Sequence, residues 1–208
     1  MTDRLSIYNG ALLMTGNRRL ANLTENVESR YILDDIWQNG GGVKHCLEQA
    51  FWNHALRTVL VEYSPSIETP WGYRRAFDKP SDLVRIYTIC TDEYFKNPLH
   101  EYQDEGNFWY ADYDELYLRY VSNGDDYGMD MSMWPESFSR YVEGYFAVRA
   151  IKRLTDAGED YKDLRDMVRR LLIDAKAKDA QKDPVGYAPM TGWQESRFGN
   201  QRRRPPYR

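Results

Sequence analysis

Cysteine is scarce: the 208 residues hold only Cys46 and Cys90, far apart and outside any paired spacing. That excludes a disulfide framework, and folding in a reducing compartment, the cytoplasm of the producing cell, is expected. Long apolar runs are missing too. The opening "MTDRLSIYNGALLMTG" is interrupted by Tyr8, Asn9 and Gly10 and has no basic leader, so neither a signal peptide nor a membrane span is expected. Histidine occurs three times, at His45, His54 and His100, with no second pair of ligands at metal spacing. "NGGGVKH" lacks the Lys-Ser/Thr ending of a phosphate loop, and no Ser or Cys stands in a recognisable nucleophile turn. The adjacent carboxylates Asp34-Asp35 and Asp114-Glu115 read as chance neighbours in a chain with 32 acids. With these routes to chemistry closed, the expectation is a protein that is not an enzyme and uses no metal or cofactor.

What is abundant is aromatic and charged. Aromatics make up 14%, including 17 Tyr, beside 29% charged residues, and the mean hydropathy is -0.75. Tyrosine in such numbers suits half-buried surfaces that face other proteins. A net charge of -4 argues against bulk affinity for nucleic acid, but the charge is unevenly spread. Between Thr91 and Glu136 twelve acids stand against two bases, a net -10; from Gln181 to Arg208 six bases stand against two acids, a net +4. Asp125, Asp126 and Asp130 in the acidic part are candidate channel or interface residues; the alternative is a solvated outer face. Their segment, "NGDDYGMDMSMW", matches a calcium loop at Asn123, Asp125 and Gly128 but fails at Tyr127 and Trp134, so a polar turn is expected.

Apolar spacing predicts helices over 3–16, 24–39, 43–54, 135–155 and 160–181, with Thr24 and Asp160 as caps and Pro135 in a first turn. Cys46 falls on the apolar stripe of the third and reads as core. The alternation between about 55 and 133 is β-rich, with strands at "LRTVLVEY", "WGYRRAF", "LVRIYTIC", "FWYAD" and "ELYLRYVS". The expected fold is α+β but mainly helical: N- and C-terminal helices form a bundle, a β-rich region is inserted, and 1–182 make a single domain. From 183 to 208 the chain has no period. It reads either as a disordered end or as an extended arm that orders against another subunit, with Tyr187, Trp193, Phe198, Arg202, Arg203 and Arg204 as partner-binding residues.

The stretch "ETPWGYRRAFDKPSDLVRIYTI" concentrates aromatics and charge and reads as scaffold. Trp71, Tyr73, Phe77 and Tyr87 are expected to pack the β-rich part. Arg74, Arg75 and Arg85 are expected in charge pairs. Pro80 is expected to open a strand that Asp82 and Arg85 help fix.

Three further groupings carry a family resemblance: Trp52-Asn53-x-Ala55 at a helix-to-strand junction, Pro80-x-Asp82-x-x-Arg85 before a strand, and Trp134-Pro135-x-x-Phe138 at the start of the long helix. With the initial Ala-Leu…Gly helix, their order over residues 5 to 155 resembles the tail tubular protein A family of tailed bacteriophages, the head-to-tail adaptors. The resemblance implies a virion protein made in the host cytoplasm and assembled as a twelvefold homo-oligomeric ring. The ring would sit between the portal protein and a downstream nozzle or tail-tube component, with genomic DNA in transit and no membrane contact. A tail-associated peptidoglycan hydrolase, which would need a carboxylate in an apolar pocket, and a monomeric module binding a host protein are the alternatives.

Overall fold

The computed structural model describes residues 2–69, 72–154 and 160–182. Three helices come first: α1 (Arg4–Met14), α2 (Glu28–Gln38) and α3 (Gly42–Glu48). Asp3 caps α1 in a reciprocal capping box with Ser6, and α1 ends where Gly16 adopts φ 70°, a left-handed conformation that glycine reaches without strain. Thr24 is not the cap of α2; Asn22 takes its N–H and its hydroxyl, and α2 starts after Val27 with no side-chain cap. The third helix stops short of residue 54. At Gln49–Phe51 the chain leaves the helix, Trp52 turns inward to donate from Nε1 to the Cys46 carbonyl at 3.0 Å, and a 3-10 turn, Asn53–Ala55, leads into the strands.

Six strands follow: β1 (Leu56–Glu62), β2 (Arg75–Asp78), β3 (Leu83–Cys90), β4 (Gln103–Glu105), β5 (Phe108–Ala111) and β6 (Glu115–Ser122). They form two antiparallel sheets, β1-β6-β3 and β2-β5-β4. Two register irregularities bend β3. Pro80 does not open β3: it lies in the preceding turn, where its carbonyl accepts the Leu83 N–H at 3.1 Å. The last helices are α4 (Glu136–Leu154) and α5 (Asp160–Ala180), the latter beginning on Asp160 itself.

The expectation of a mainly helical bundle with a β insertion is corrected by this arrangement. Among the described residues there are five α-helices and two three-stranded antiparallel sheets, 41% helix and 21% strand, in a mixed α+β fold. α4 packs against α1, α2 and α3 as well as against α5. The helical core takes in Ala55 and Val121, with Leu56 and Val84 packed on it, so the strand ends are part of that core. A second core, Phe77, Ile89, Leu99, Trp109, Ala111, Leu116, Leu118 and Tyr120, lies between the two sheets. Burying Leu118 on one face of β6 and Val121 on the other is what period-two alternation allows a central strand to do.

Of the aromatics expected to pack the β part, Phe77 is fully buried and Tyr73 half-buried; Tyr87 is 49% exposed and stays out of the core, meeting Phe51 edge-on at 5.0 Å. Trp71 lies outside the described residues. Arg75 pairs with Asp114 at 2.7 Å and covers the Tyr63 ring. Arg85 makes no such pair among the described residues: it donates to the Glu48 carbonyl at 3.0 Å and stacks on Phe51. Arg74 is held through its backbone N–H, which donates to Asp112.

Candidate functional site

Asp82 ties the turn before β3 to the middle strand. Its carboxylate accepts from Arg57 and Tyr120, each at 2.8 Å, and from the Ser122 hydroxyl, while its carbonyl takes the Asn123 N–H. Burial alone would raise its pKa, but the bonds from Ser122, Arg57 and Tyr120 together hold it below the usual carboxylate value. Asp82 thus joins the turn before β3 to β1 and β6, with Arg57 rather than Arg85 as its cationic partner. Asp82→Asn keeps an acceptor for Tyr120 but sets an amide N–H against two donors; we expect a loss of about 1–2 kcal/mol, seen as a lower urea midpoint.

The aromatic residues at the helix-sheet joint stack on one another. Phe138, three residues into α4, meets Trp52 at 4.8 Å, Trp134 at 5.0 Å and His54 at 4.7 Å between ring centres. Trp134 donates from Nε1 to the Gly128 carbonyl at 2.9 Å, and Pro135 gives its carbonyl to the Ser139 N–H. Neither ring nitrogen of His54 has a hydrogen-bond partner among the described residues, and burial, with Lys182 adding to it, lowers its pKa to about 4.

Beside this joint a groove of about 720 Å³ opens between the end of α5, the segment 49–53 and the outer face of the first sheet. Leu56, Arg85, Tyr87 and Arg119 line it from the sheet, Phe51 and Asn53 from the turn, and Lys176 and Asp179 from α5. Asp179 pins α5 in place by accepting the Asn53 N–H at 2.9 Å. Arg119 donates from Nε to Thr58 at 3.3 Å and stacks over Phe95 at 4.5 Å. Phe95 is the one non-glycine residue with positive φ among those described, at 56°. A left-handed backbone is costly for a bulky residue, and it persists here because the Asp92 carboxylate gathers the N–H groups of Lys96 and Asn97 around it. Both groove arginines are thus fixed by neutral partners and make no ion pair among the described residues.

The acidic candidates lie elsewhere. Asp125 and Asp126 are exposed in the turns between β6 and α4; Asp130 is half-buried, its carboxylate accepting from Ser132 Oγ at 2.6 Å and from the Ser132 N–H at 2.9 Å. Those bonds, the hydroxyl's first, lower its pKa. Tyr187, Trp193, Phe198, Arg202, Arg203 and Arg204 lie outside the described residues.

Residues considered for catalysis have other engagements. Asp34 is a structural hub for Arg4, Arg30 and Tyr8. Cys46 is fully buried, and burial pushes its thiol far above the ordinary range. His45 stacks on Tyr145 at 4.8 Å. Glu143 was not singled out in the sequence; burial, then repulsion from Glu136, raises its pKa to about 7. Its carboxyl lies against the α1 backbone at Gly10, close enough that a Cβ there would meet Cδ at 2.3 Å, a position between packed helices rather than in an open cleft. No three His, Cys, Asp or Glu residues gather as a metal cradle among the described residues.

The sequence matches no protein-family model and no curated protein.

Proposed function

We propose that the chain is a head-to-tail adaptor subunit of a tailed bacteriophage. In this reading it forms a twelvefold ring in the virion, joins the portal to a downstream nozzle or tail-tube protein, and leaves a channel for DNA. One observation supports the reading beyond the resemblance itself. Two of the residue groups that carry the resemblance meet at one joint, where Trp52 and Trp134 close on Phe138; Ala55 leads into β1, and Asp82 of the third group bonds to Arg57 of that strand, with Arg85 on the adjoining groove. Motifs that assemble one joint between helices and sheets form a scaffold. A groove lined with fixed cations and exposed aromatics has the composition of a protein interface.

Mixing the purified protein with portal rings and measuring particle mass tests the reading. We expect many copies to bind each portal ring, with the full ring giving twelve. A protein that stays monomeric and ignores the portal, or that turns over cell-wall substrate, would overturn it.

A further inference from the structure

The outer face of the first sheet is basic at one end and acidic at the other. Strand alternation places Leu56, Thr58, Leu60 and Glu62 of β1 on the face that carries Val121, Arg119, Tyr117 and Glu115 of β6. At the far end of that face Glu62 stands directly opposite Glu115, a like-charge pair that destabilises an antiparallel ladder. The turn leading into β6 projects there. Asp112, Tyr113, Asp114 and Glu115 are all exposed, Tyr113 by 45%, although an isolated aromatic gains nothing from water. At the near end lies the groove, where Arg85 and Arg119 are held by neutral groups beside Phe51 and Tyr87.

We propose that the groove of one subunit receives the β5–β6 turn of a second copy, with Tyr113 seated against Phe51 and Tyr87, and Glu115 and Glu62 facing Arg85 and Arg119. This inference rests on the ring reading, which supplies the need for a subunit contact; the residues come from the structure. Knob and groove are different patches, so the contact is heterologous and can repeat from subunit to subunit, as a ring requires. Charge selects this occupant over the chain's own carboxy-terminal segment. α5 ends at the groove with Ala180, and the sequence from Gln181 on carries a net +4 that the same cations would repel.

The test uses two full-length variants, Arg85→Glu/Arg119→Glu in the groove and Glu62→Lys/Glu115→Lys at the knob, with sedimentation at the highest soluble concentration. We expect each alone to self-associate at least about tenfold more weakly than the wild type, because like charges then face each other across the contact. Mixed, they should associate again, since the intact knob meets the intact groove and the reversed knob meets the reversed groove. The quadruple variant, with both signs exchanged, should associate again. To cover a protein that assembles only on its portal, Tyr113→Cys and Tyr87→Cys chains are mixed on portal rings under mild oxidation, where a cross-link between the two is expected. Rings that form on the portal without this cross-link, and that tolerate both charge reversals, would overturn the contact and leave the adaptor reading intact. Association and cross-linking without portal binding would do the reverse. Binding of single-stranded nucleic acid in the groove that outcompetes self-association would also overturn it.

Discussion

Gly128→Ala is expected to destabilise the protein by about 3–5 kcal/mol, a loss large enough to leave much of the chain unfolded at physiological temperature. A Cβ on Gly128 would lie 2.1 Å from the Ser122 carbonyl oxygen and 2.8 Å from Leu47 Cδ1. The first of these is backbone at the end of the central strand, and it cannot rotate away. Shifting residue 128 instead breaks the bond from Trp134 Nε1 to its carbonyl and pulls Trp134 off Phe138. Gly10→Ala is the control. Its Cβ also meets atoms within 3 Å, but they are the end of the Glu143 side chain, which can swing aside, and alanine favours the helix by up to about 1 kcal/mol. Urea midpoints should fall steeply for the first variant and hardly move for the second. Equal losses would mean that Ser122 yields more readily than a strand end should.

The second large effect is a pair of opposed pH dependences. His54 has a folded pKa of about 4 against 6.5 in the unfolded chain, so the unfolded state takes the proton first. Its contribution is full above pH 6.5 and is lost as the pH falls to about 4, to the extent of about 3 kcal/mol. Glu143 runs the other way. Its folded pKa of about 7 against 4.5 means that stability is full below pH 4.5 and lost as the pH rises through 7. Partial solvent screening reduces that contribution to about 1–2 kcal/mol. Between pH 4.5 and 6.5 the two offset each other in part. Asp82 and Asp130, both held below the ordinary carboxylate value by their hydrogen bonds, titrate beneath that window.

Glu143→Gln should therefore raise stability at pH 7.5 and make acidification costlier than in the wild type. His54→Phe should remove the acid loss, so that stability rises as the pH falls from 7 to 4.5. Urea titrations at several pH values read both directly. Parallel curves for the wild type and Glu143→Gln would show that this carboxyl ionises normally.

The parts of the fold legible in the sequence are those where one face of an element meets one core. In α5, Leu164, Val168 and Ala175 recur at helical spacing and are buried. β4 is not legible in the sequence because Gln103, Asp104 and Glu105 are all exposed on an edge strand, which leaves no apolar alternation to read. α3 ends at Glu48, short of the predicted residue 54, because Phe51 and Trp52 continue an apolar pattern that the structure divides between surface and core. The bundle expectation failed for a similar reason: nothing in the local spacing of Leu56, Val84 or Val121 says that strand ends plug a helical core. The groove was illegible because Arg85 and Arg119 share a face only through the β3–β6 register. Of the aromatic and charged residues around 68–89, Phe77 is buried in the second core and Asp82 bonds Arg57, Tyr120 and Ser122.

β6 is anchored at both ends. Leu116, Leu118 and Tyr120 are roots in the core between the sheets, while Val121 is a root in the helical core, and the strand has a hydrogen-bonded neighbour on each side. Neither core can melt while the other holds, because the first to open would have to tear the strand that the second retains. Heat or denaturant therefore meets a single cooperative unit. A pull applied along β6 loads its hydrogen bonds to β1 and β3 in shear along the whole strand instead of peeling them one pair at a time.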